Sequence, residues 1–295
     1  VTIVMSTPTV PVLDRVAQAL GEWQYDEGPL HLHPGDLGWY SLKGADATAA
    51  AVRTWSRGEK IVAVGLLDGP QLLRMALNPA LHDDDELARQ LLRDIDDPQN
   101  GVLNAGDATI EARGAARFMR LLAESGWQPD APWIPLHRDL SEPVQDAGVR
   151  VEVINPDQAD RWIEVHWSAF RGTPFSAEDR RRFLSLYQTM AAGPFYNSAR
   201  SLAVLDGDHN AVAVATVWSA GAGRPGLVEP MGVHQGHRGR GYGTAITVAA
   251  AAALQEMGSS SAIVCAESSN AGAVATYVAA GFTAHQQIAD LHRAA

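Results

Sequence analysis

The sequence predicts a mixed-sheet α/β (α+β) fold built twice over, and three observations carry that prediction. The second half alternates short apolar strands with amphipathic helices. The first half ends on the same alternation, and short matches between the halves recur at a nearly constant offset.

In the second half, VRVEVINP (149–156) reads as a strand and ADRWIEVHWSAF (159–170) as an amphipathic helix entered after Asn155-Pro156-Asp157. SAEDRRRFLSLYQTM (176–190) reads as a second helix, with Ser176 as N-cap and Asp179 three residues on, close to a capping box. Three strand-like runs follow, ARSLAVLDG, NAVAVATVWSAG and GLVEPMGVH, divided by turn signals at Asp206-Gly207-Asp208 and from Gly221 to Gly226. A Gly-rich loop then opens an alanine-rich helix, followed by the strand SAIVCAE, the helix NAGAVATYVAA stopped by Gly281, and a final strand from about Thr283. The predicted order is β α α β β β α β α β.

The first half offers KIVAVGLLDG and QLLRMALNP as adjacent strands, DELARQLLRDI and RGAARFMRLLAES as helices, and Gly126-Trp127 as a stop. Met75-Ala76-Leu77 overlies Met231-Gly232-Val233 at an offset of 156, and Gly126-Trp127 overlies Gly281-Phe282 at 155. Leu136-His137-Arg138 overlies Leu291-His292-Arg293, again at 155. Three ordered matches imply a duplicated domain, with copies at 1–145 and 149–295 and a boundary near Ser141 to Gly148.

Composition narrows the class. A chain of 295 residues, 46% hydrophobic and 19% charged, can bury a substantial core. No apolar run reaches membrane-spanning length, and VTIVMSTPTVPVLD lacks the basic start and continuous apolar core of a signal peptide, so a cytoplasmic location is expected. Residues 1–148 hold 12 Lys and Arg against 22 Asp and Glu, whereas residues 149–295 hold 11 against 12. The acidity belongs to the first half; such a field disfavours nucleic acid and attracts cations, or simply solvates the surface. The single cysteine, Cys265, excludes an intramolecular disulfide and reads as a small buried hydrophobe. His31-x-His33 is two histidines without a placed third ligand, so it reads as exposed loop, and no metal site is expected.

The loop His237-Arg238-Gly239-Arg240-Gly241-Tyr242-Gly243 sits where the backbone N–H groups of the following helix are free and its dipole favours an anion. Glycines let a bulky phosphate approach that backbone. In register with it, the first half carries Leu81-His82-Asp83-Asp84-Asp85-Glu86-Leu87, of opposite charge. The second copy is built to receive phosphate and the first to repel it. A Walker loop needs Gly-Lys-Ser/Thr, which the chain lacks, and a dinucleotide fingerprint needs a glycine where Thr244 stands. Taken alone, the loop can still be a tight turn.

Arg238-x-x-Gly241-x-Gly243, after a strand ending Met231-Gly232-Val233, resembles the Q/R-x-x-G-x-G/A loop of the GNAT superfamily of N-acetyltransferases. Asn270-x-x-Ala273-x-x-x-Tyr277-x-x-x-Gly281-Phe282 resembles that family's second block, and the element order of residues 149–295 is also the family's. The tandem layout, with a degenerate N-terminal copy, resembles that of mycothiol-synthase-like and aminoglycoside-acetyltransferase-like members. The resemblance implies acetyl-CoA as cosubstrate. Its pyrophosphate would lie on the backbone of Arg238, Gly239, Arg240, Gly241, Tyr242, Gly243 and Thr244, and its pantetheine beside Met231, Gly232 and Val233. Asn270 and Tyr277 would contact the thioester arm. With Leu122 opposite Tyr277 and Ala115 opposite Asn270, the first copy should not catalyse.

Acetyl transfer from a thioester needs a neutral amine, a stabilised oxyanion and a protonated thiol. Tyr277 is the candidate acid; full proton transfer from a phenol near 10 to a thiolate near 8.5 is uphill by about 2 kcal/mol, so a strong hydrogen bond or a tuned Tyr is needed. Glu229, on one strand face with Met231 and Val233, is the candidate base, or else a surface carboxylate at a strand end. The resemblance adds a backbone amide near Gly232 or Val233 as oxyanion donor, and makes Trp162, His166, Trp167, Phe170 and Phe175 one wall of the acceptor site, where core packing accounts for most of them. The expected partner is a small cationic amine, with an amino-sugar antibiotic such as kasugamycin as one candidate and resistance as the matching role. A cysteinyl pseudodisaccharide or non-catalytic acyl-CoA sensing are the alternatives. The chain is expected as a monomer or homodimer.

Overall fold

A computed structural model describes residues 2–294, and its elements form where apolar periodicity and capping residues ask for them. The first copy runs β1 (Ile3–Ser6), α1 (Leu13–Glu22), α2 (Pro34–Tyr40), α3 (Ala45–Ala51), β2 (Val52–Arg57), β3 (Lys60–Leu67) and β4 (Leu72–Leu77). It continues through α4 (Asp85–Asp96), β5 (Ala108–Glu111), α5 (Ala116–Glu124) and β6 (Gln128–Asp139). The second copy runs β7 (Val151–Val153), α6 (Ala159–Phe170), α7 (Ala177–Ala192), β8 (Ala199–Leu205), β9 (Ala211–Trp218) and β10 (Gly226–Val233). It ends with α8 (Tyr242–Glu256), β11 (Ser261–Glu267), α9 (Ala271–Ala279), β12 (Thr283–Ala284) and β13 (Ile288–Arg293). Every element expected of residues 149–295 is present in the expected order. Ser176 caps α7 by accepting from the Asp179 N–H.

The sheet is continuous through both copies, in the order β1-β2-β3-β4-β5-β13-β6-β11-β10-β9-β8-β7, with β12 beside β6. The copies exchange their last strands: β13 pairs with β5, and β6 pairs with β11. Gln128 stands opposite His292 and Thr283 opposite His137, one and the same pair carried through the offset of 155, so a pseudo-twofold axis runs between β6 and β13. Strand edges that would otherwise expose unpaired backbone are thereby closed.

The helical layer of the first copy is pressed against the second. A Cβ on Gly38 would come within 2.2 Å of the Trp218 ring and one on Gly35 within 2.5 Å of the Trp218 side chain, so α2 lies close because these residues have none. His33 caps α2: its Nδ1 accepts from the Gly35 N–H at 2.9 Å, which leaves Nε2 to donate to the Pro225 carbonyl at 3.1 Å. The expectation of an exposed His31-x-His33 loop is therefore corrected. Both rings are buried, and burial pushes His31 down to about 3 and His33 to about 4. A capping histidine followed by Pro34 is a helix start, and the turn it begins is packed under the other copy.

Candidate active site

Strands β10 and β11 are parallel partners only at Gly226–Ala262 and Leu227–Ile263. Beyond these pairs no ladder joins them, and the register of β10 against β9 shifts between Val228 and Met231. The Trp218 indole N–H anchors that irregular stretch by donating to the Glu229 carbonyl at 2.7 Å. Met231 and Val233 pack into the same core as Tyr277. Gly232 faces the opposite way, where a Cβ would lie 2.7 Å from Ala169 on α6. The alternation expected along Glu229, Met231 and Val233 is thus present on the strand that leads to the loop.

The loop then opens to solvent. Gly239 (φ 75°) and Gly241 (φ 83°) are left-handed, and a Cβ on either would meet nothing within 4 Å. The Ala245 N–H, bonded to the Gly241 carbonyl, closes the first turn of α8, so the amides before it are free to meet an anion. Gly243 serves packing instead: its Cβ would sit 3.0 Å from Thr276 on α9. Arg238 donates to the Ala169 carbonyl at 2.9 Å and Arg240 is exposed, while Tyr242 and Thr244 are half-buried. Asn270 caps α9, its Oδ1 accepting from the Ala273 N–H at 3.1 Å. These residues form a cradle whose open backbone fits a pyrophosphate.

Glu229, Met231, Cys265 and Tyr277 meet in one cavity of about 560 Å³. The far wall comes from the first copy: Trp39, Asp68, Arg74, Glu111, Arg113 and Trp133. Among the residues expected from the helix that precedes the acceptor wall, His166 and Phe170 line it, whereas Trp162 is core and Trp167 stacks on Phe175 with centroids 4.5 Å apart. His166, wedged between Trp39 and Trp162, is pushed down to about 3 by burial and the Arg171 charge, so it is a neutral ring. Cys265 is half-buried at this wall rather than sealed in the core, with Arg113 Nη1 at 3.6 Å; burial holds its thiol up at about 11, so it is inert as a nucleophile.

Burial pushes Glu229 up to about 7 against the pull of Arg74, although 37% of its side chain is still open to the cavity. Protein surrounds the residue, while its side chain lines an open cavity. Tyr277, 6% exposed, is pushed upward by burial and by Glu229. These influences favour the neutral phenol, which can donate a hydrogen bond, over a tyrosine tuned down toward the thiol. Arg74 reaches Asp36 at 2.9 Å, Glu111 at 3.1 Å, Asp68 at 3.7 Å and Glu229 at 4.0 Å. Arg113 grips Asp290 through two bonds of 3.0 and 2.7 Å. Sequence reading missed this wall. The available signal was a charge, Arg74, inside the apolar run Leu72-Leu73-Arg74-Met75, which a strand tolerates only with partners.

The corresponding place in the first copy is closed. Helix α4 is capped by Asp84, which accepts from the Leu87 N–H at 2.8 Å and pairs with Arg57 at 3.1 Å. The segment Pro29 to Leu32 fills the gap beside it. A Cβ on Gly114 would strike Pro29 at 2.3 Å and lie 3.2 Å from His82, and the Leu32 N–H donates to the Met75 carbonyl at 3.3 Å. By the repeat offsets, Gly114, His82 and Met75 stand for Ser269, Arg238 and Met231. The chain's own backbone therefore runs through the track that is open in the second copy.

Two units of eleven helices and strands each, sharing one sheet, with strands parted beside a glycine-opened helix, define the tandem GNAT fold. Residues 159–282 match the model of the acetyltransferase (GNAT) family, so the second copy carries a domain of that family. Mycothiol acetyltransferase of Streptomyces avermitilis is 30% identical over 152 residues, 50% of this chain and 47% of that protein. The chain thus spans about half the length of the curated relative it matches. Among solved structures, a tandem GNAT protein from the clavulanic acid biosynthesis pathway superposes with a TM-score of 0.58 at 17% identity, covering 99% of this chain and 98% of that one. An acetyltransferase from the GNAT family of Colwellia psychrerythraea gives 0.60 at 14%, with 99% of each chain covered. Among the described residues no helix is long and apolar enough to cross a membrane.

Proposed function

We propose that the chain is an acetyl-CoA-dependent N-acetyltransferase whose second copy binds the donor and whose acceptor, a primary amine on a small cation, enters the cavity between the copies. One observation carries this reading. A single chamber at the parting of β10 and β11 holds a carboxylate poised near 7 and a neutral phenol, within walls that are short of positive charge. Its lining and the groups bonded to that lining hold five carboxylates, Asp36, Asp68, Glu111, Glu229 and Asp290, against the guanidiniums of Arg74, Arg113 and Arg171. An ammonium entering there relieves the imbalance, and a base near 7 can accept its proton at working pH.

In this reading Glu229 removes a proton from the acceptor ammonium, directly or through water. The freed amine attacks the thioester carbonyl, and a backbone N–H near Gly232 or Val233 stabilises the oxyanion. As the carbon–sulfur bond breaks, Tyr277 supplies a proton, or a hydrogen bond, to the departing thiolate, and the second proton, which the nitrogen sheds on becoming an amide, restores the phenol or completes the thiol. The loop Arg238 to Thr244 holds the pyrophosphate, with Asn270 beside the thioester arm. The acidic first copy gathers the cation, which fits an amino-sugar antibiotic such as kasugamycin, a resistance role and a cytoplasmic site of action. A second reading, acetylation of a cysteinyl pseudodisaccharide, is favoured by the 30% identity to mycothiol acetyltransferase.

Release of free CoA thiol across aminoglycosides, kasugamycin, polyamines and cysteinyl amino sugars tests both. Turnover confined to the antibiotics supports the first reading and turnover with the cysteinyl sugar supports the second. Acetyl-CoA binding without any turnover leaves a sensor. Calorimetry is expected to give one donor site per chain, and two would remove the closed-copy reading.

A further inference from the structure

We propose that Arg74, a residue of the copy that has no open donor track, is a positioning residue for the other copy's chemistry: with Asp36, Asp68 and Glu111 it sets how readily Glu229 accepts the acceptor's proton. The proposal rests on the reading of Glu229 as the base. Its observation is the arrangement of four carboxylates around one guanidinium across the boundary between copies.

Arg74 lies on β4 between Leu73 and Met75, which are fully buried, and its own side chain is 16% exposed. Such a charge stays only if it is paired. Its two short contacts, to Asp36 at 2.9 Å and Glu111 at 3.1 Å, satisfy that need without Glu229. Glu229 stands off at 4.0 Å with its oxygens open to the cavity, so it feels the guanidinium's field without being locked in a bonded pair. Structural ion pairs close; a carboxylate that must exchange a proton stays accessible.

Burial is the largest influence on Glu229, and among the charges that face it this cluster dominates. Tyr277 on α9 and the Cys265 thiol on β11 are held neutral by burial, and so is His166 on α6. Arg113 is neutralised by Asp290 of β13, and Arg171 lies just beyond α6 on the cavity wall. Arg74 favours the ionised form of Glu229, whereas Asp36, Asp68 and Glu111 disfavour it. The first copy has filled its own donor track yet keeps this charged strand, and the cluster gives that strand a task.

The signs make the test. The pH dependence of kcat/KM for an accepted amine is measured for the wild type, Arg74→Gln, Arg74→Lys, Glu111→Gln and Asp68→Asn, with acetyl-CoA affinity measured alongside. Arg74→Gln is expected to move the acidic midpoint up by about one pH unit, while Glu111→Gln and Asp68→Asn move it down, with donor affinity unchanged. Arg74→Lys restores most of the wild-type midpoint. Coincident midpoints, or shifts of one sign in all variants, overturn the proposal. Arg74→Gln strands the buried Asp36; if it fails to fold, Glu111→Gln and Asp68→Asn carry the test, downward shifts in both upholding the proposal and unmoved or raised midpoints overturning it. Carbon-13 titration of the Glu229 carboxyl in unliganded protein, assigned with Glu229→Gln, reads the same shifts without turnover. Opposite shifts in a chain that acetylates no amine uphold the tuning and remove the catalytic reading; normal turnover with an unshifted titration overturns the tuning alone.

Discussion

Helices α4 and α8 occupy equivalent places in the two copies, and their first turns have opposite fates. In α4 the free amides are met by Asp84, and Arg57 binds that carboxylate from outside. In α8 the cap is Gly241, which offers no side chain, and the amides are left to a ligand. A helix N-terminus must be satisfied by something. One copy satisfies it from within and becomes a structural wall; the other leaves it open, as the donor site we propose requires. The difference is completed by Pro29 to Leu32, which cross the first copy's track where the second copy keeps a gap.

The sharpest break in the comparison is at Tyr277 and its counterpart Leu122. Tyr277→Phe is expected to lower turnover by about two to four orders of magnitude while acetyl-CoA affinity holds, and Leu122→Tyr to change neither. Steady-state rates with calorimetry on both variants check this; unchanged turnover in Tyr277→Phe removes it as the acid.

Next in size is acid sensitivity. His31 and His33 are neutral in the fold, pushed below their ordinary 6.5 by burial. The stability they contribute is complete above pH 6.5 and is lost as pH falls toward about 4, by roughly 3 kcal/mol at His33 alone. Glu229, pushed up from 4.5 to about 7, acts in the other sense: its contribution is present below 4.5 and is lost as pH rises through 7. Denaturant midpoints between pH 7 and pH 4.5 should fall in the wild type and fall less in His33→Asn, which can still cap α2.

Gly38→Ala comes third, because its Cβ would lie 2.2 Å from Trp218 and must push the copies apart. A loss of about 1–3 kcal/mol in chemical denaturation is expected, against no loss for Ala at Arg240. The smallest effect copies the first copy's charge into the second. Arg240→Asp, which reproduces Asp84, should weaken acetyl-CoA binding by about fivefold to tenfold, with the loss diminishing in high salt.

Much of this was legible from the chain. The strands and helices of residues 149–295 follow from apolar periods and from caps such as Ser176, and the repeat was visible in Met75 to Leu77 and Gly126-Trp127. Glu229 and Met231 share a cavity as strand alternation suggested, and Tyr277 joins them there as the family resemblance implied. His31 and His33 were misread because a capping imidazole and an exposed one look alike until the Pro225 carbonyl is brought against it. Cys265 was read as core because strand alternation does not reveal which face meets a cavity.

Local chemistry, then, is what the sequence determined by itself: which segments form helices and strands, where α8 is left open, and which copy carries Glu229 and Tyr277. Those features depend on neighbours within a few residues. The tertiary structure decided the exchange of β6 and β13, the filling of the first track by Pro29 to Leu32, and the placing of Arg74 beside Glu229, 155 residues further along the chain. Contacts of that range are fixed only when the whole core packs, because their energy depends on burial and mutual distance, and neither quantity is written in any short stretch of residues.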